Sequence, residues 1–423
     1  MGPIALFDKS FLQSLTVDEA VWFAHFFMPV VCPMFYVETL ADLDKAVREG
    51  RTPEQEVGII AEKFPDASAA PCAYHLNLAF SELSGASIDM DGRIPRAGGT
   101  AVTLDGKWGW VFDRSPEEVA FSRWSQGKFL DVERGVAARW RSTLNSVDLA
   151  VIAKAIQEGG VNARTCKSLE DARAMAHAAI ASTKDPYQTL GSILTLLSIP
   201  REYHTRIIER WAVQCGKAPL QKCFPYCSHI MQIELFFYLA LAAGHIGTAR
   251  PSNRTDMTYL YYLPFCQMFV SSDRLHERSA PLFMREDQRF VWGADLKEDL
   301  KQINLYYEEL PESEKEKGLS HIAYAPPKRE GSLVRELRAQ FLGKGYDDAP
   351  RVTAPEDPEK ERQLVEELNR WVEAEPADPS EAPTDYERGD TMAFKCSVRL
   401  RKGSWWQLPK DLGTKDKKGP KRD

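Results

Sequence analysis

Four acidic residues, Asp8, Glu38, Asp256 and Asp273, stand where carboxylates can do chemistry. Asp8 closes the apolar run Ile4-Ala5-Leu6-Phe7, and Asp273 closes the run from Gln267 to Ser271 by way of Ser272. Continuous apolar runs of this length read as strands buried on both faces of a parallel sheet. In open α/β sheets, sites form in the crevice beyond the carboxyl ends of such strands, so the two aspartates become neighbours. Glu38 falls on a helix predicted over 35–47, with Asp42 one turn further on. Asp256 reads as the first residue of a short helix that stops near Pro264. Four carboxylates in one crevice repel one another, and hard, oxygen-seeking Mg²⁺ or Mn²⁺ removes that cost. Ions so held can activate water and steady the leaving oxygen of a phosphodiester. Singly, each acid has a plainer role: Asp256 suits a helix start and Asp273 a turn.

The elements that must position these acids are legible in outline. Ser10 to Phe27 has helical apolar spacing, and Val30-Val31-Cys32 after Pro29 reads as a short strand or turn. Residues 1–50 and 169–310 are expected to form a discontinuous α/β core, ending in the strongly apolar helix around Met231 and then the Asp256–Asp273 unit. Residues 51–168 read as an inserted lobe, mostly helical. Within it, Asp105-Gly106 separates two strand-like runs, Thr100–Leu104 and Lys107–Phe112, as a hairpin turn. Residues 345–423 read as an acidic, Pro-rich linker followed by a mobile, basic C-terminal tail.

Bulk composition narrows the classes. The 423 residues are 43% hydrophobic and 27% charged, enough to bury a substantial core. A formal charge of −7 gives no global attraction to a polyanion, so any such attraction has to be local. From Lys395 to Asp423, ten Lys/Arg face three Asp. The uncharged run Ala20–Val37 is long enough to span a bilayer, but Pro29, Pro33 and His25 favour a helix, a buried strand and a second helix instead. No membrane association is expected. Eight cysteines without a secretory leader read as reduced thiols of a cytoplasmic protein. Cys215, Cys223, Cys227 and His229 offer zinc-type donors at unusual spacing, and buried thiols are the better reading. His276 reads as a phosphate contact or a solvated side chain. Arg254 and Arg274 flank the acids and could grip a substrate phosphate, against the plainer reading as surface arginines. Trp405-Trp406, among Arg399, Arg401 and Lys402, invites a base-stacking role.

The order LFDKS, PMFYVETL, a helix opening on aspartate, then FVSSD resembles the PIN-like nuclease superfamily, over residues of about 4–48 and 230–280. The resemblance implies a PIN-like core and an Mg²⁺- or Mn²⁺-dependent nuclease, most often a ribonuclease, with RNA as the expected partner. It would place Asp8, Glu38, Asp256 and Asp273 as metal-binding and catalytic residues. Ser10 and Ser271 would fall on the small-hydroxyl positions beside substrate phosphate. Residues 39–255 separate the second and third acids, far more than compact members need, and the alternative is a catalytically inactive binding or interaction module of the same fold.

Overall fold

The computed structural model describes residues 2–45, 50–65, 69–96, 98–181, 185–349, 358–378 and 391–412. Its centre is a five-stranded sheet in the order β3-β2-β1-β6-β7, every pairing parallel. The strands are β1 (Ile4–Phe7), β2 (Met28–Val31), β3 (Ala70–Pro71), β6 (Met268–Ser271) and β7 (Arg289–Trp292). β1 holds the middle because Ala5, Leu6 and Phe7 are fully buried and have nothing polar to offer solvent. Its register with β6, Phe7 opposite Val270, carries Asp8 and the residues after Ser271 to one edge.

Helices cover both faces. Helix Lys9–Ser14 follows β1 directly, and helix Val17–Phe26 starts with a reciprocal cap between Thr16 and Glu19. The Ala20–Val37 run therefore folds as the expected helix, strand and helix. No helix among the described residues is long and apolar enough to cross a membrane. Pro33 opens helix Pro33–Ala41, earlier than the expected start at Phe35, because proline suits the first helical turn.

The stretch 51–168 is not walled off from the core. β3 comes from it and forms the outer edge of the main sheet, while Phe121 and Trp124 pack beside Phe35, Phe64 and Tyr36. Within it, β4 (Thr100–Leu104) and β5 (Lys107–Phe112) pair as expected around Asp105-Gly106. Both turn residues take positive φ, 51° and 77°, which the twist of a two-residue hairpin requires.

The C-terminal stretch departs most from expectation. Residues 350–357, 379–390 and 413–423, which hold most of the linker and the Lys-rich end, lie outside the described residues. The rest is not a mobile tail. Helix Pro358–Glu373 buries Trp371 against the β4-β5 hairpin, and β8 (Thr391–Phe394) joins β5 as a third, parallel strand. A short hairpin of β9 (Arg401–Lys402) and β10 (Trp405–Trp406) docks on the core. Trp405 is 1% exposed and packs edge-on against Trp22, and both indole N–H groups donate to Asn304 Oδ1 at 2.8 Å. The base-stacking role is thereby withdrawn from Trp405, since its ring is spent in the core. Lys402 donates to Phe64 O, Arg399 to Glu62 O, and Lys410 pairs with Glu316.

One further expectation is corrected. Cys215 and Cys223 form a disulfide, so not every thiol is free, and two of the four zinc-type donors are consumed. Cys227 Sγ faces Ala79 O, and His229 Nε2 faces Leu260 O at 3.0 Å.

Candidate active site

The four acids come from four separate elements at the carboxyl edge of β1 and β6. Hydrogen bonds through Ser271 and His276 join Asp8, Asp273 and Asp256, and Glu38 is held beside them by Tyr259. Asp8 follows β1 and is 3% exposed. Its Oδ1 accepts from Phe11 N at 2.9 Å, capping helix Lys9–Ser14. Its Oδ2 accepts from Ser10 Oγ at 2.7 Å and Ser271 Oγ at 2.8 Å. Asp273 caps helix Arg274–Ser279 through Leu275 N at 2.6 Å, and its own N–H donates to Ser271 Oγ at 3.0 Å. The capping roles foreseen for aspartates of this kind are therefore present beside the clustering, not instead of it.

Asp256 sits elsewhere in its helix than expected. Helix Ser252–Met257 begins four residues earlier, behind Pro251, and runs on as a tight 3₁₀ segment over Thr258–Phe265. Asp256 thus lies near a helix end, and no side chain or N–H among the described residues donates to its carboxylate. Glu38 occupies helix Pro33–Ala41, where Tyr259 O–H donates to its Oε2 at 2.5 Å. Lys9 Nζ reaches the Glu38 carbonyl at 3.1 Å and Asp42 Oδ2 at 2.9 Å, so the charge beside Glu38 is itself anchored.

The residue that ties the set together is His276, which is 1% exposed. Its Nε2 faces the Asp256 carbonyl at 2.8 Å. Its Nδ1 faces Ser271 Oγ at 2.8 Å and Asp8 Oδ2 at 3.3 Å. Because the Ser271 hydrogen goes to Asp8, both ring nitrogens meet acceptors, and the ring is a doubly protonated imidazolium. Burial alone would lower its pKa, but the Asp8 hydrogen bond and charge, with Asp256, raise it to about 9. The same contacts act on Asp8: burial pushes its carboxyl up, and His276, Ser10 and Phe11 outweigh that and hold it below the usual range. Asp256 shows the opposite balance. Burial, then repulsion by Glu38 and more weakly by Asp273 and Asp8, lifts its carboxyl to about 7 despite His276. Glu38 is raised by burial, against the pull of Lys9 and Tyr259.

The phosphate-contact candidates are placed differently. Ser271 is fully buried, and its hydroxyl serves Asp8 and Asp273. Ser10 likewise donates to Asp8 and accepts from Ser272 N at 3.3 Å. Both hydroxyls hold the acids rather than face a ligand. Arg254 is pulled inward, pairing with the buried Glu234 at 2.8 Å, while Tyr261 O–H also donates to Glu234. That withdraws Arg254 from a substrate. Arg274 alone of the four stays open, with 75% of its side chain exposed. His276 is neither a phosphate contact nor solvated, as its spacing had suggested. Its position three residues beyond Asp273 in a new helix was the one available sign, and only the burial of that helix face gives it meaning.

The donor set suits a hard cation in type: both carboxylate oxygens of Asp256, and the second oxygens of Asp273 and Glu38, have no hydrogen-bond donor among the described residues. As they stand, however, no three His, Cys, Asp or Glu side chains among those residues converge tightly enough to hold an ion. Mutual repulsion and the engagement of both Asp8 oxygens account for the opening. Comparison with protein-family models, curated proteins and solved structures returns no match.

Proposed function

We propose that this chain is a metal-dependent phosphodiester hydrolase of the PIN-like type, with RNA as its substrate. The observation that carries the reading is the meeting of four acids at the carboxyl edge of a parallel sheet: Ser271 and His276 tie Asp8 to Asp273 and Asp256, and Tyr259, which holds Glu38, packs edge-on against His276. Asp273 and Asp256 would hold Mg²⁺ or Mn²⁺ with their open oxygens, and Asp8 would join once Ser10 or Ser271 turns aside. When bound, the ion supplies charge stabilisation and a water of lowered pKa. Glu38, raised by burial and steadied by Tyr259, is suited to take a proton from the attacking water. Ser271 and His276 keep Asp8 oriented and charged. The test compares wild type with Asp8→Asn and Asp273→Asn on single-stranded RNA and DNA in Mn²⁺. Cleavage by wild type that falls at least about a hundredfold in both variants supports the reading; equal cleavage by all three overturns it.

A second reading, a catalytically silent binding module of the same fold, is favoured by His276, whose fixed positive charge already balances Asp8. It is distinguished by wild type that binds RNA but cleaves nothing in excess Mn²⁺.

A further inference from the structure

Beside the acids, at the same edge of the sheet, lies an aromatic side chain that the core does not absorb. Trp292 ends β7 directly opposite Ser271 in the parallel register, so it stands on the strand next to the one that delivers Asp273. Its neighbours Phe290 and Val291 pack into the hydrophobic core, whereas Trp292 is half-buried and outside that core. Its indole N–H donates to nothing among the described residues. What covers the ring is Arg274, whose guanidinium carbon lies 4.5 Å from the ring centroid. Arg274 follows Asp273 immediately, is held on one side by Glu277 at 2.6 Å, and leaves most of its side chain to solvent.

A half-buried indole with a guanidinium 4.5 Å over its ring is a cation–π pair whose charged member is open to solvent. Guanidinium planes and aromatic rings accept nucleobases face-on, and the positive charge suits the phosphate beside the stacked base. Bases inside a duplex are stacked on each other and cannot take such a place. We infer that Arg274 and Trp292 form a subsite that stacks an unpaired base of single-stranded nucleic acid beside the acids, with Arg274 facing the adjoining phosphate. This rests on the nuclease reading, and it adds the strandedness of the substrate and the two residues that select it.

The test separates binding from cleavage. Fluorescence anisotropy in EDTA measures binding of a short labelled single-stranded RNA, the same RNA with abasic positions, and its duplex, to wild type, Arg274→Ala, Arg274→Lys, Trp292→Ala and Trp292→Phe. Melting curves confirm that each variant folds, which the exposure of Arg274 favours. Single-stranded binding should weaken roughly tenfold in Arg274→Ala and Trp292→Ala, the scale of one lost base stack. Arg274→Lys, which keeps charge without the plane, should recover only part, and Trp292→Phe most. The abasic RNA should bind wild type, Arg274→Lys and both Trp292 variants alike, with Arg274→Ala losing only the share of its charge on the phosphate. The subsite is overturned if Arg274→Lys and Trp292→Ala bind single strands as wild type does, or if duplex binding falls as far as single-strand binding. If wild type cleaves RNA in Mn²⁺ while these variants are unchanged in EDTA, the subsite fails and the nuclease reading stands. Wild type that neither binds nor cleaves overturns both.

Discussion

His276 meets an oxygen at each ring nitrogen, and this arrangement sets a cation against the buried Asp8. Asp8 is buried with a cation in contact, so removing the cation alone leaves a buried charge unbalanced. His276→Gln is expected to cost about 3–5 kcal/mol in urea denaturation. The double variant with Asp8→Asn should recover part of that loss, because it leaves no bare charge. Strict additivity of the two single losses would show that the pair is not coupled. Arg254 makes a related point. It lies close to Asp256 in sequence, as a substrate-binding arginine would, yet the buried Glu234, whose carboxyl is pushed to about 7 by burial, claims it. Side-chain identity and spacing could not foresee that, since Glu234 is a single acidic position in a mostly apolar helix.

At the scale of elements, β1, β2, β6, the β4-β5 hairpin and the two strand-end aspartates were readable because short apolar runs and a positive-φ dipeptide are local signals, whereas β3 and β7, which complete the sheet, gave no such run. Asp8 and Asp273 fell where expected. Asp256 was misplaced within its helix because the first turn, Ser252 to Thr255, is wholly polar and offers no apolar period to mark the start. Long-range caps were invisible as well. Helix Pro225–Ala242 has no side-chain cap of its own; Glu82, from helix His75–Ser84, accepts from Tyr226 N at 2.9 Å and Cys227 N at 2.8 Å. Glu82→Ala is expected to lower stability by about 2–4 kcal/mol, combining a lost cap with two buried N–H groups left unpaired. Glu82→Gln, which keeps an acceptor, should lose less, and equal losses in urea melts would argue that packing, not capping, is the function of Glu82.

Across the whole molecule, one core extends from the sheet to the C-terminal hairpin, and composition had cast that hairpin as a tail. The Lys- and Arg-rich context hid a tryptophan whose burial depends on Trp22 and Asn304, far away in the chain. Trp405→Ala should cost about 3–5 kcal/mol, measured by urea denaturation; a surface role would leave stability unchanged. The core also builds opposing responses to acid into the protein. His75, facing Tyr262 O–H, is pushed down to about 4 by burial and the Arg254 charge; His229 is pushed to about 4 by burial. A histidine with a depressed folded pKa contributes its full share above its unfolded value near 6.5 and loses it as pH falls toward 4, up to about 3 kcal/mol each. Over the same range Asp256 and Glu234, both raised to about 7, gain stability as pH falls, so the histidine share is read as a difference: the wild-type denaturation midpoint should fall relative to that of His75→Gln between pH 6.5 and 4. Everything about function converges on whether acids gathered from residues 8, 38, 256 and 273 act as one site. Calorimetric titration of Mn²⁺ into wild type, Asp256→Asn and Asp273→Asn tests this most directly. The expected result is saturable binding in wild type that weakens tenfold or more in both variants, about 1.4 kcal/mol or above. No binding by wild type, or unchanged binding in the variants, would contradict it.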